Sequence, residues 1–414
     1  MKHDILVVGG GPAGVGAALA AAENGAKTLL LERTGRLGGT AVQSLVGPFM
    51  GGVNSRYKEK ILTALGGHTG DFRKMDLQLY DLLSASGVEI QLHAGVHQPI
   101  QKGKRVVGVT ADLPDGPADF SADAVIDATG DGTVAFRAGV PFEIGRDEDG
   151  LTQPMSIMFT IDHIAPESRF LCHSEEMARE VSIGGRSWEE LTLEAGNRGE
   201  LPSLVGVVRL YAGLYPDESI VNAAQINFLN GTSASDLTRA EIECRRQAWQ
   251  ILEFLRRTLP GYENARISSM PAAVGVRETR RFEGCARLEK ADCLSGRVFD
   301  DAVVFDAVFG IDIHNPSGGG QAAGRRDFAT GSAERVQPYT IPYGVMVPRE
   351  IDGLLFTGRC ISASHEALAS CRVMCIAMAL GGAAGSAAAY AVRQGIPLRR
   401  VPVHRLAEQL RARP

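Results

Sequence analysis

A glycine-rich turn near the start of the chain has the residue types and spacing of a dinucleotide site. An apolar run, Ile5–Val8, leads into the turn, and a later apolar strand ends at Glu32. The glycines of the turn are Gly9, Gly11 and Gly14. The first permits a tight bend, the second admits a phosphate close to the backbone, and the third lets helix pack on strand. Pro12 suits the first helical turn, where its missing N–H costs nothing. The segment therefore predicts strand, turn, helix and strand around a pyrophosphate, with Glu32 accepting hydrogen bonds from ribose hydroxyls.

Histidines and arginines farther along the chain could act on a bound substrate. Histidine changes charge near neutral pH, so His314 in DIHNP or His365 in SASHEA could take a proton or hydrogen-bond a substrate. Each could equally fix a loop. Arg277 and Arg280, in GVRETRR, could bind an anionic group or a carbonyl oxygen through the guanidinium fork. The structural alternative for these arginines is an internal salt bridge to a neighbouring acid, Glu278 or Glu283.

The elements that must position these residues follow from the hydrophobic pattern. The segment AVIDATGDG, residues 124–132, predicts a buried strand beside the first one, ending where ligands bind in open α/β sheets. A helix is predicted over Asp76–Ser86, a strand over Val88–His93, and a hairpin around the turn PDGP. Leu354–Thr357 predicts a further short strand that leads into a glycine–arginine loop.

From about Gly139 the pattern becomes that of a separate, β-rich unit. The segments MSIMFTID, LVGVVRLY and AAQINFLN predict strands of an antiparallel sheet. Ser235–Leu259 predicts a long helix capped by Ser235. Its apolar stripe, interpreted as core, consists of Leu237, Ile242, Trp249, Leu252 and Leu255. We therefore expect an α/β protein: a Rossmann-like parallel sheet in a discontinuous nucleotide-binding domain, residues 1–140 and 331–414, with a β-rich substrate domain, residues 141–330.

Motifs spread over nearly the whole chain converge on one group of proteins. They are GGGPAGVGAA, LERTGRLGGT, AVIDATGDGTVAFRAG, GVRETRRFEG, DIHNPSGGG, YTIPYGVMVP and LLFTGRCISASHEALASCRVMCIAMALGGAAGSAA. With these segments the chain resembles the FAD-dependent oxidoreductases of the glutathione-reductase structural type, which have one dinucleotide fold and a separate substrate domain. The nucleotide motifs are shared by many flavoproteins, whereas GVRETRR, DIHNPSG and GRCISASHEA together are more specific.

The resemblance implies FAD as the cofactor, bound without a covalent link. The glycine turn would contact the pyrophosphate, and Glu32 the adenosine ribose. The other positions implied for the cofactor are Pro12, Ala13, Arg33, Gly38, Gly39, Thr40, Val96, Ala128, Thr129, Gly130, Asp131, Gly358, Arg359, Arg372 and Val373. The N-terminus of the last helix, around Arg372 and Val373, would point at the flavin, and its dipole or Arg372 itself would stabilise the negative charge that reduction places there. Attachment of the flavin to Cys360 is the covalent alternative.

The activity that follows is an FAD-dependent dehydrogenase or oxidase that moves a hydride from a small polar organic substrate to flavin N5, with O₂ as one electron acceptor. The alternative is an NAD(P)H-using flavin reductase or monooxygenase, which would bind nicotinamide transiently because no second glycine fingerprint follows a strand. A third class is a non-catalytic electron-transfer subunit. Such a subunit should carry iron–sulfur cysteines or a partner-binding extension, and the sequence shows neither.

Composition argues against other classes of partner. The 43 basic and 48 acidic residues give a net charge of −5, so we expect no positively charged surface of the kind that binds nucleic acid. No metal-binding motif is present. The uncharged segment Val373–Val392 is long enough to cross a bilayer, but its small residues favour a buried helix, and no membrane is expected. Because no signal peptide precedes the first strand, a cytoplasmic location is expected.

The cysteine pattern favours reduced thiols. The seven cysteines include no CxxC pair, which is typical of a reducing compartment. Cys371 and Cys375 are four residues apart, and a redox pair across one helical turn is the alternative.

Overall fold

The computed structural model describes residues 2–319 and 335–412 of the 414-residue chain. Residues 320–330 of the predicted substrate domain and 331–334 of the predicted nucleotide-binding domain lie outside the described residues. The strands are β1 (His3–Val8), β2 (Thr28–Leu31), β3 (Gly52–Asn54), β4 (Glu89–Gln91), β5 (Gly95–Lys102), β6 (Arg105–Leu113), β7 (Gly116–Asp127), β8 (Phe142–Ile144), β9 (Met155–Asp162), β10 (Ser182–Ile183), β11 (Arg186–Ser187), β12 (Arg209–Ala212), β13 (Ser219–Ile226), β14 (Arg266–Ser269), β15 (Arg280–Phe282), β16 (Ala302–Val308), β17 (Tyr339–Pro342) and β18 (Leu354–Phe356). The α-helices are α1 (Pro12–Glu23), α2 (Thr40–Gln43), α3 (Arg56–Leu65), α4 (Met75–Ala85), α5 (Thr133–Arg137), α6 (Glu175–Glu180), α7 (Trp188–Asn197), α8 (Ala234–Thr258), α9 (Lys290–Ser295), α10 (His365–Cys371), α11 (Met374–Gln394) and α12 (Ala407–Leu410). Short 3₁₀ turns are formed by Pro166–Ser168, Tyr343–Met346, Leu398–Arg400 and Val403–Arg405.

A seven-stranded sheet carries the predicted nucleotide site. Its order is β4-β2-β1-β7-β6-β5, and β18 pairs with β7. β1 lies parallel to β2 on one side and to β7 on the other, so that Val8 stands opposite both Leu31 and Asp127. β1 and β2 are apolar and almost wholly buried, as parallel strands covered on both faces must be. The predicted Rossmann-like sheet is confirmed. The strand predicted over residues 124–132 lies beside the first strand but ends at Asp127, and residues 128–132 form the loop that follows it.

The outer part of this sheet is an antiparallel meander. β6 and β7 form the hairpin predicted around PDGP, with Leu113 opposite Gly116. β5, which pairs with β6, was not predicted because its polar residues Gln98, Gln101 and Lys102 hide the alternation. The strand predicted over Val88–His93 is shorter, Glu89–Gln91.

The β-rich unit has its own antiparallel sheet, in the order β12-β13-β9-β14. The three segments predicted as its strands each contribute one, and β9 lies antiparallel to β13 and β14. The long helix α8 packs on this sheet, and the two share one apolar cluster. An antiparallel substrate-domain sheet is thus confirmed.

The prediction for α8 is wrong in two details. Its N-cap is Ser233, whose hydroxyl accepts a hydrogen bond from the Asp236 N–H, so the helix begins one residue before Ser235. Ile242 and Trp249, expected in the core, are 49% and 55% exposed. The buried residues of the helix are Ala240, Cys244, Gln247, Ala248, Ile251, Leu252, Phe254 and Leu255. The predicted core positions Leu252 and Leu255 are therefore confirmed, whereas Ile242 and Trp249 lie on the exposed face.

Two helices, α1 and α11, pack unusually closely because glycines lie between them. A Cβ on Gly381 would lie 1.9 Å from the Ala13 carbonyl oxygen, and one on Gly385 would lie 2.1 Å from that of Ala17. From the opposite helix, a Cβ on Gly16 would approach the Met378 oxygen to 2.4 Å. Within the described residues α11 is the helix long and apolar enough to cross a bilayer, and 89% of its apolar window is buried inside the protein. The buried, close-packed helix predicted here is what the structure shows.

Replacing Gly385 with alanine should therefore destabilise the protein by about 1–3 kcal/mol, because the added methyl group forces the two helices apart. The matched control is Gly196→Ala in α7, where a Cβ meets nothing within 4 Å. That change should stabilise by up to about 1 kcal/mol through helix propensity. Urea unfolding of both variants measures the difference. Equal stability of the two would contradict the close packing.

The two cysteines at 371 and 375 do not share a helical turn. Cys371 ends α10, and Cys375 lies in α11, which begins at Met374 after a break at Arg372 and Val373. The i, i+4 argument requires one continuous helix, so the dithiol alternative loses its basis. Burial raises the pKa of Cys375 to about 11 and that of Cys371 further, which leaves both as unreactive thiols. All seven cysteines are free in the structure.

The apolar clusters bear on domain organisation. One cluster lies between Met155 and Val274 and belongs to the β-rich unit. Another joins α1 and α11, and also contains β16 and β17 residues such as Val304 and Ile341. β16 pairs with both β3 and β17. The boundaries at 140 and 331 stay a prediction, and β16 packs with the nucleotide-binding side of the proposed division.

Candidate functional site

The glycine turn after β1 is shaped by contacts with the end of β7. Gly9 has φ = +101°, and a Cβ there would lie 2.6 Å from the Ala128 carbonyl oxygen. A Cβ on Gly14 would lie 1.8 Å from the Gly9 oxygen. Both positions therefore need glycine for the fold itself. Gly11 is different: its backbone is extended, and a Cβ would meet only the Gly39 Cα, at 3.7 Å.

A second glycine pair folds over this turn. The Gly38 N–H donates to the Gly10 oxygen over 2.8 Å, and Gly39 is the N-cap of α2, which starts at Thr40. A Cβ on Gly39 would lie 2.8 Å from the Gly11 Cα. Gly38, Gly39 and Thr40, predicted on the path toward the flavin, thus lie against the glycine turn.

Glu32 ties the turn to the end of β2. One carboxylate oxygen accepts from the Gly10 N–H over 2.7 Å. The other accepts from the N–H and hydroxyl of Thr34, each over 2.9 Å. A carboxylate has about four acceptor sites. Three are used here, and the oxygen bonded to Gly10 can still accept from a ribose hydroxyl. Arg33 is exposed, and Val96 lies half-buried in β5.

The loops after β7 and β18 meet beside the same turn. The buried Asp127 carboxylate accepts from Thr129 and from the Ala135 N–H, which fixes the loop that carries Gly130. Arg359 donates to the Gly130 oxygen over 2.9 Å and forms an ion pair with Asp131 at 2.7 Å. Gly358 lies against the start of α1, because a Cβ there would approach the Ala13 Cβ to 3.1 Å. The structure therefore brings residues 128–131 and 358–359 to the glycine turn.

These residues fit a dinucleotide. Gly11 caps α1 without a side chain, so the first-turn N–H groups of that helix are left for a ligand or water. Neither the backbone conformation nor the packing requires glycine at position 11. A ligand lying against the loop would explain why this position has no side chain. The N-cap of α11, Val373, likewise has no side-chain cap. The cradle for FAD is thus consistent with the residues present.

A second, polar site surrounds Gln153. The Gln153 Oε1 accepts from the backbone N–H of His314 over 3.2 Å and from Arg372 Nη2 over 3.3 Å. Arg372 Nη2 also donates to the Asp312 carbonyl oxygen over 3.0 Å. The His314 ring lies beside the same acid, with Nε2 3.6 Å from a carboxylate oxygen of Asp312. His314 and Arg372, 58 positions apart in the chain, therefore share one amide.

Arg277 is linked to this site through Pro154, the residue that follows Gln153. Its Nη1 donates to the Pro154 carbonyl oxygen over 2.7 Å. The Ser156–Gly275 bridge holds the two segments together. Burial and the nearby Arg372 lower the pKa of Arg277 to about 9, so the guanidinium remains charged at neutral pH. The site therefore holds the predicted Arg277 and His314 together.

His314 stays uncharged at neutral pH. Burial and the charge of Arg277 lower its pKa to about 4, although Asp312 acts in the opposite direction. Burial alone would raise the pKa of Asp312, but His314, Arg372 and Arg277 outweigh it and hold that pKa below its ordinary value. A neutral imidazole can accept a proton or a hydrogen bond from a substrate.

The pKa of His314 predicts how stability depends on pH. In the unfolded chain the imidazole takes up a proton near pH 6.5, whereas in the folded protein it does so only near pH 4. The unfolded state therefore binds more protons between these values, and stability falls as the pH falls through this window. We expect the wild type to lose about 2–3 kcal/mol more than His314→Asn between pH 7 and pH 4. Urea unfolding across this range measures it, and parallel curves would contradict the lowered pKa.

His365 lies in a different arrangement. Its Nδ1 is 2.8 Å from the buried carboxylate of Glu278, which also pairs with Arg281 and accepts from the Gln153 N–H. Arg281 in turn donates to the Ala363 and Gly145 carbonyl oxygens. This network joins His365 to the Gln153 segment through Glu278, and it fits a residue that fixes a loop.

Arg277 and Arg280, the two candidate substrate-binding arginines of GVRETRR, have different surroundings in the structure. Arg280 donates to the Asp131 carbonyl oxygen over 3.3 Å and stacks on Phe136, beside the glycine turn and away from Arg277. The internal salt bridge considered for these arginines is made by Arg281 with Glu278 instead.

Several residues of the polar site were not predicted. They are Gln153, Asp312, Asn227, Glu278 and Arg281. Asn227 holds the loop after His314, because its Nδ2 donates to the Asn315 and Gly318 oxygens over 2.6 and 3.0 Å. Asp312 lies inside the quoted motif DIHNP, so the motif itself was a signal. Gln153 and Asn227 carry no such signal. No group of three or more potential metal ligands occurs among residues 2–319 and 335–412.

Parts of the chain are similar in sequence to known proteins. Digeranylgeranylglycerophospholipid reductase 1 of Methanopyrus kandleri is 31% identical over 150 residues, which cover 31% of this chain and 40% of that protein. The tRNA uridine 5-carboxymethylaminomethyl modification enzyme of Campylobacter fetus is 44% identical over 70 residues, 17% of this chain and 11% of that enzyme. The chain thus spans less than half the length of these relatives.

Among solved structures, a geranylgeranyl bacteriochlorophyll reductase-like protein from Thermoplasma acidophilum is similar over 99% of this chain and 84% of its own, with a TM-score of 0.49 and 14% identity. The family model described as FAD dependent oxidoreductase matches residues 4–410, which include both the glycine cradle and the polar site. The chain therefore belongs to the FAD-dependent oxidoreductases, a family of enzymes.

Proposed function

We propose that this FAD-dependent oxidoreductase is a dehydrogenase or oxidase that removes a hydride and a proton from a small polar organic substrate. One observation carries the proposal: a buried, uncharged histidine, His314, shares a site with two arginines, Arg277 and Arg372. A neutral imidazole has a lone pair free to receive a proton from the substrate, and a negatively charged substrate held by the arginines would offset the positive charge that lowers the pKa of His314.

In this proposal the glycine turn binds the cofactor, and the polar site binds the substrate. Gly9, Gly11, Gly14 and Glu32 would hold the FAD, which when bound supplies the hydride acceptor, N5 of the flavin. In the polar site, Arg277 would orient the substrate, and His314 would take the proton from its O–H or N–H as the neighbouring C–H bond breaks. The substrate thereby loses two electrons and two hydrogens, one as hydride and one as a proton.

His314 is a better candidate base than His365. The Nδ1 of His365 is occupied by Glu278, whose carboxylate is already neutralised by the ion pair with Arg281. The Nε2 of His314 is farther from its acid, at 3.6 Å from a carboxylate oxygen of Asp312, and the ring lies beside the arginines. His365 is proposed to position the loop between β18 and α10.

Anaerobic reduction of the bound flavin tests this function. Wild-type protein is mixed with small alcohols, amines and hydroxy or amino acids in the absence of nicotinamide, and the flavin absorbance is followed. We expect bleaching by at least one of them, and a slowing of about 10²–10⁴-fold in His314→Asn. Arg256→Met, which removes a partly exposed arginine of α8 that pairs with Glu253, is the control that should reduce at the wild-type rate.

The opposite results point to the alternatives. Rapid bleaching by NADPH alone, with no bleaching by the organic compounds, would replace this proposal with a reductase or monooxygenase. Heat denaturation followed by filtration identifies the binding mode of the flavin. We expect free FAD in the filtrate, whereas flavin retained on the precipitate would indicate covalent attachment.

A further inference from the structure

Two buried donors in the polar site have no acceptor among the described residues. They are Gln153 Nε2 and Arg372 Nε. Gln153 is 1% exposed. Its amide cannot be turned round, because Oε1 already accepts from the His314 N–H and from Arg372 Nη2. A buried N–H without a partner is unfavourable because it has lost its hydrogen bonds to water, so the site is complete only when something supplies an acceptor.

The charge of the site indicates what that acceptor is. Two acids lie near Arg277 and Arg372 among the described residues: Asp312, which interacts with Arg372 at 3.5 Å, and Glu278, whose charge is neutralised by the ion pair with Arg281. The nearby Arg209 is neutralised separately by its own ion pair with Glu175. Among the described residues, the Arg277 guanidinium makes one hydrogen bond, from Nη1 to Pro154, and its other donors remain available. The site therefore has an excess of one positive charge and unused donors.

We propose that this site binds the carboxylate of the substrate, held by Arg277 and the side-chain amide of Gln153. The substrate class is then a small carboxylic acid that carries the C–H to be oxidised. A carboxylate supplies several acceptor lone pairs and one negative charge, and the arginine fork is the protein group best matched to it. This inference rests on the proposed function for the oxidation step, but the binding of the carboxylate can be measured without turnover.

The test compares carboxylates with their uncharged amides at constant ionic strength. Holoprotein is titrated with acetate, oxalate and benzoate, and with acetamide, oxamide and benzamide. Binding is followed through the change in flavin absorbance and, in FAD-free protein, through the thermal midpoint. We expect at least one carboxylate to bind, and its amide to bind at least about tenfold more weakly.

Two variants locate the site. Gln153→Glu keeps the shape and the acceptor oxygen but replaces the unused donor by an oxygen, so it should weaken carboxylate binding about 100-fold or more. Arg277→Met should weaken it at least about tenfold, and Arg256→Met should leave it unchanged. Should Gln153→Glu fail to fold, the result for Arg277→Met decides. Carboxylate affinities equal to those of the amides, or unchanged in both site variants, would overturn the proposal.

The two proposals can fail separately. If carboxylates bind as expected and no carboxylic acid reduces the flavin, the carboxylate site stands and the dehydrogenase or oxidase function is wrong. If uncharged alcohols or amines reduce the flavin through His314 while carboxylates do not bind, the function stands and the carboxylate site is wrong.

Discussion

Replacing Gly11 with valine should abolish FAD binding and leave the fold unchanged. A Cβ at this position meets one atom within 4 Å, the Gly39 Cα at 3.7 Å. The backbone is extended there, with φ = −74°, which valine adopts readily. Neither packing nor conformation therefore demands glycine. What remains is the close approach of a phosphate to the loop, and the valine side chain would occupy that space.

The expected effect is large and separable from stability. We expect the affinity for FAD to fall at least about 100-fold, because both the steric contact and the approach to the N–H groups of α1 are lost. Titration of FAD-free protein with FAD, followed by quenching of flavin fluorescence, measures it. The thermal midpoint of the FAD-free variant should match that of FAD-free wild type.

Gly14→Ala is the matched control from the same turn. Its Cβ would lie 1.8 Å from the Gly9 oxygen, so the variant should be destabilised by about 1–3 kcal/mol even without FAD. Loss of FAD binding in both variants, with loss of stability only in Gly14→Ala, is the expected pattern. Normal FAD affinity in Gly11→Val would mean that the pyrophosphate does not lie over this loop.

The contrast between these two glycines shows what sequence reasoning could reach. The motif spacing predicts strand, turn and helix because each depends on residues within a few positions of one another. The motif also gives each glycine its own role: Gly9 the bend, Gly11 the approach of a phosphate, and Gly14 the packing of helix on strand. The structure adds the contacts that make glycine necessary at Gly9 and Gly14, and it shows that no such contact exists at Gly11 among the described residues.

The polar site could not be predicted from the sequence for a related reason. Gln153 contacts His314, which is 161 positions away, and the hydrogen bonds that define its role come from residues on different elements. A glutamine also carries no motif of its own. The two candidate histidines were alike in sequence, each in a polar loop, and they differ only through partners brought together by the fold: Glu278 for His365, and Arg277 with Asp312 for His314. In the first half of α8 the buried positions are the small residues Ala240, Cys244 and Ala248, so hydrophobic size there pointed to the exposed Ile242 and Trp249 instead.

Replacing Arg281 with methionine should cost about 3–5 kcal/mol of folding free energy, the largest stability effect expected here. The side chain is 1% exposed, and its partner Glu278 is fully buried. Arg281 also donates to the Ala363 and Gly145 carbonyl oxygens, so its loss leaves two acceptors and one carboxylate without their donor. The penalty arises mainly from the Glu278 charge, which methionine cannot compensate.

Arg287→Met is the matched control, because Arg287 and Arg281 both pair with Glu143. The Arg287 side chain is 35% exposed, and water can replace the lost ion pair, so this change should cost less than about 1 kcal/mol. Urea unfolding of the FAD-free variants compares the two. Equal losses would show that the Glu278 carboxylate does not depend on Arg281.

A double variant identifies the source of the penalty. Adding Glu278→Gln to Arg281→Met removes the uncompensated charge and keeps an amide that can meet His365 and the Gln153 N–H. The double variant should therefore be more stable than Arg281→Met alone, although Glu278→Gln by itself destabilises the wild type. If the second change instead adds its full single-variant cost, the loss in Arg281→Met comes from packing and from the two carbonyl oxygens. Recovery in the double variant would show that Arg281 serves to hold a buried carboxylate, which in turn fixes His365 and the backbone of Gln153.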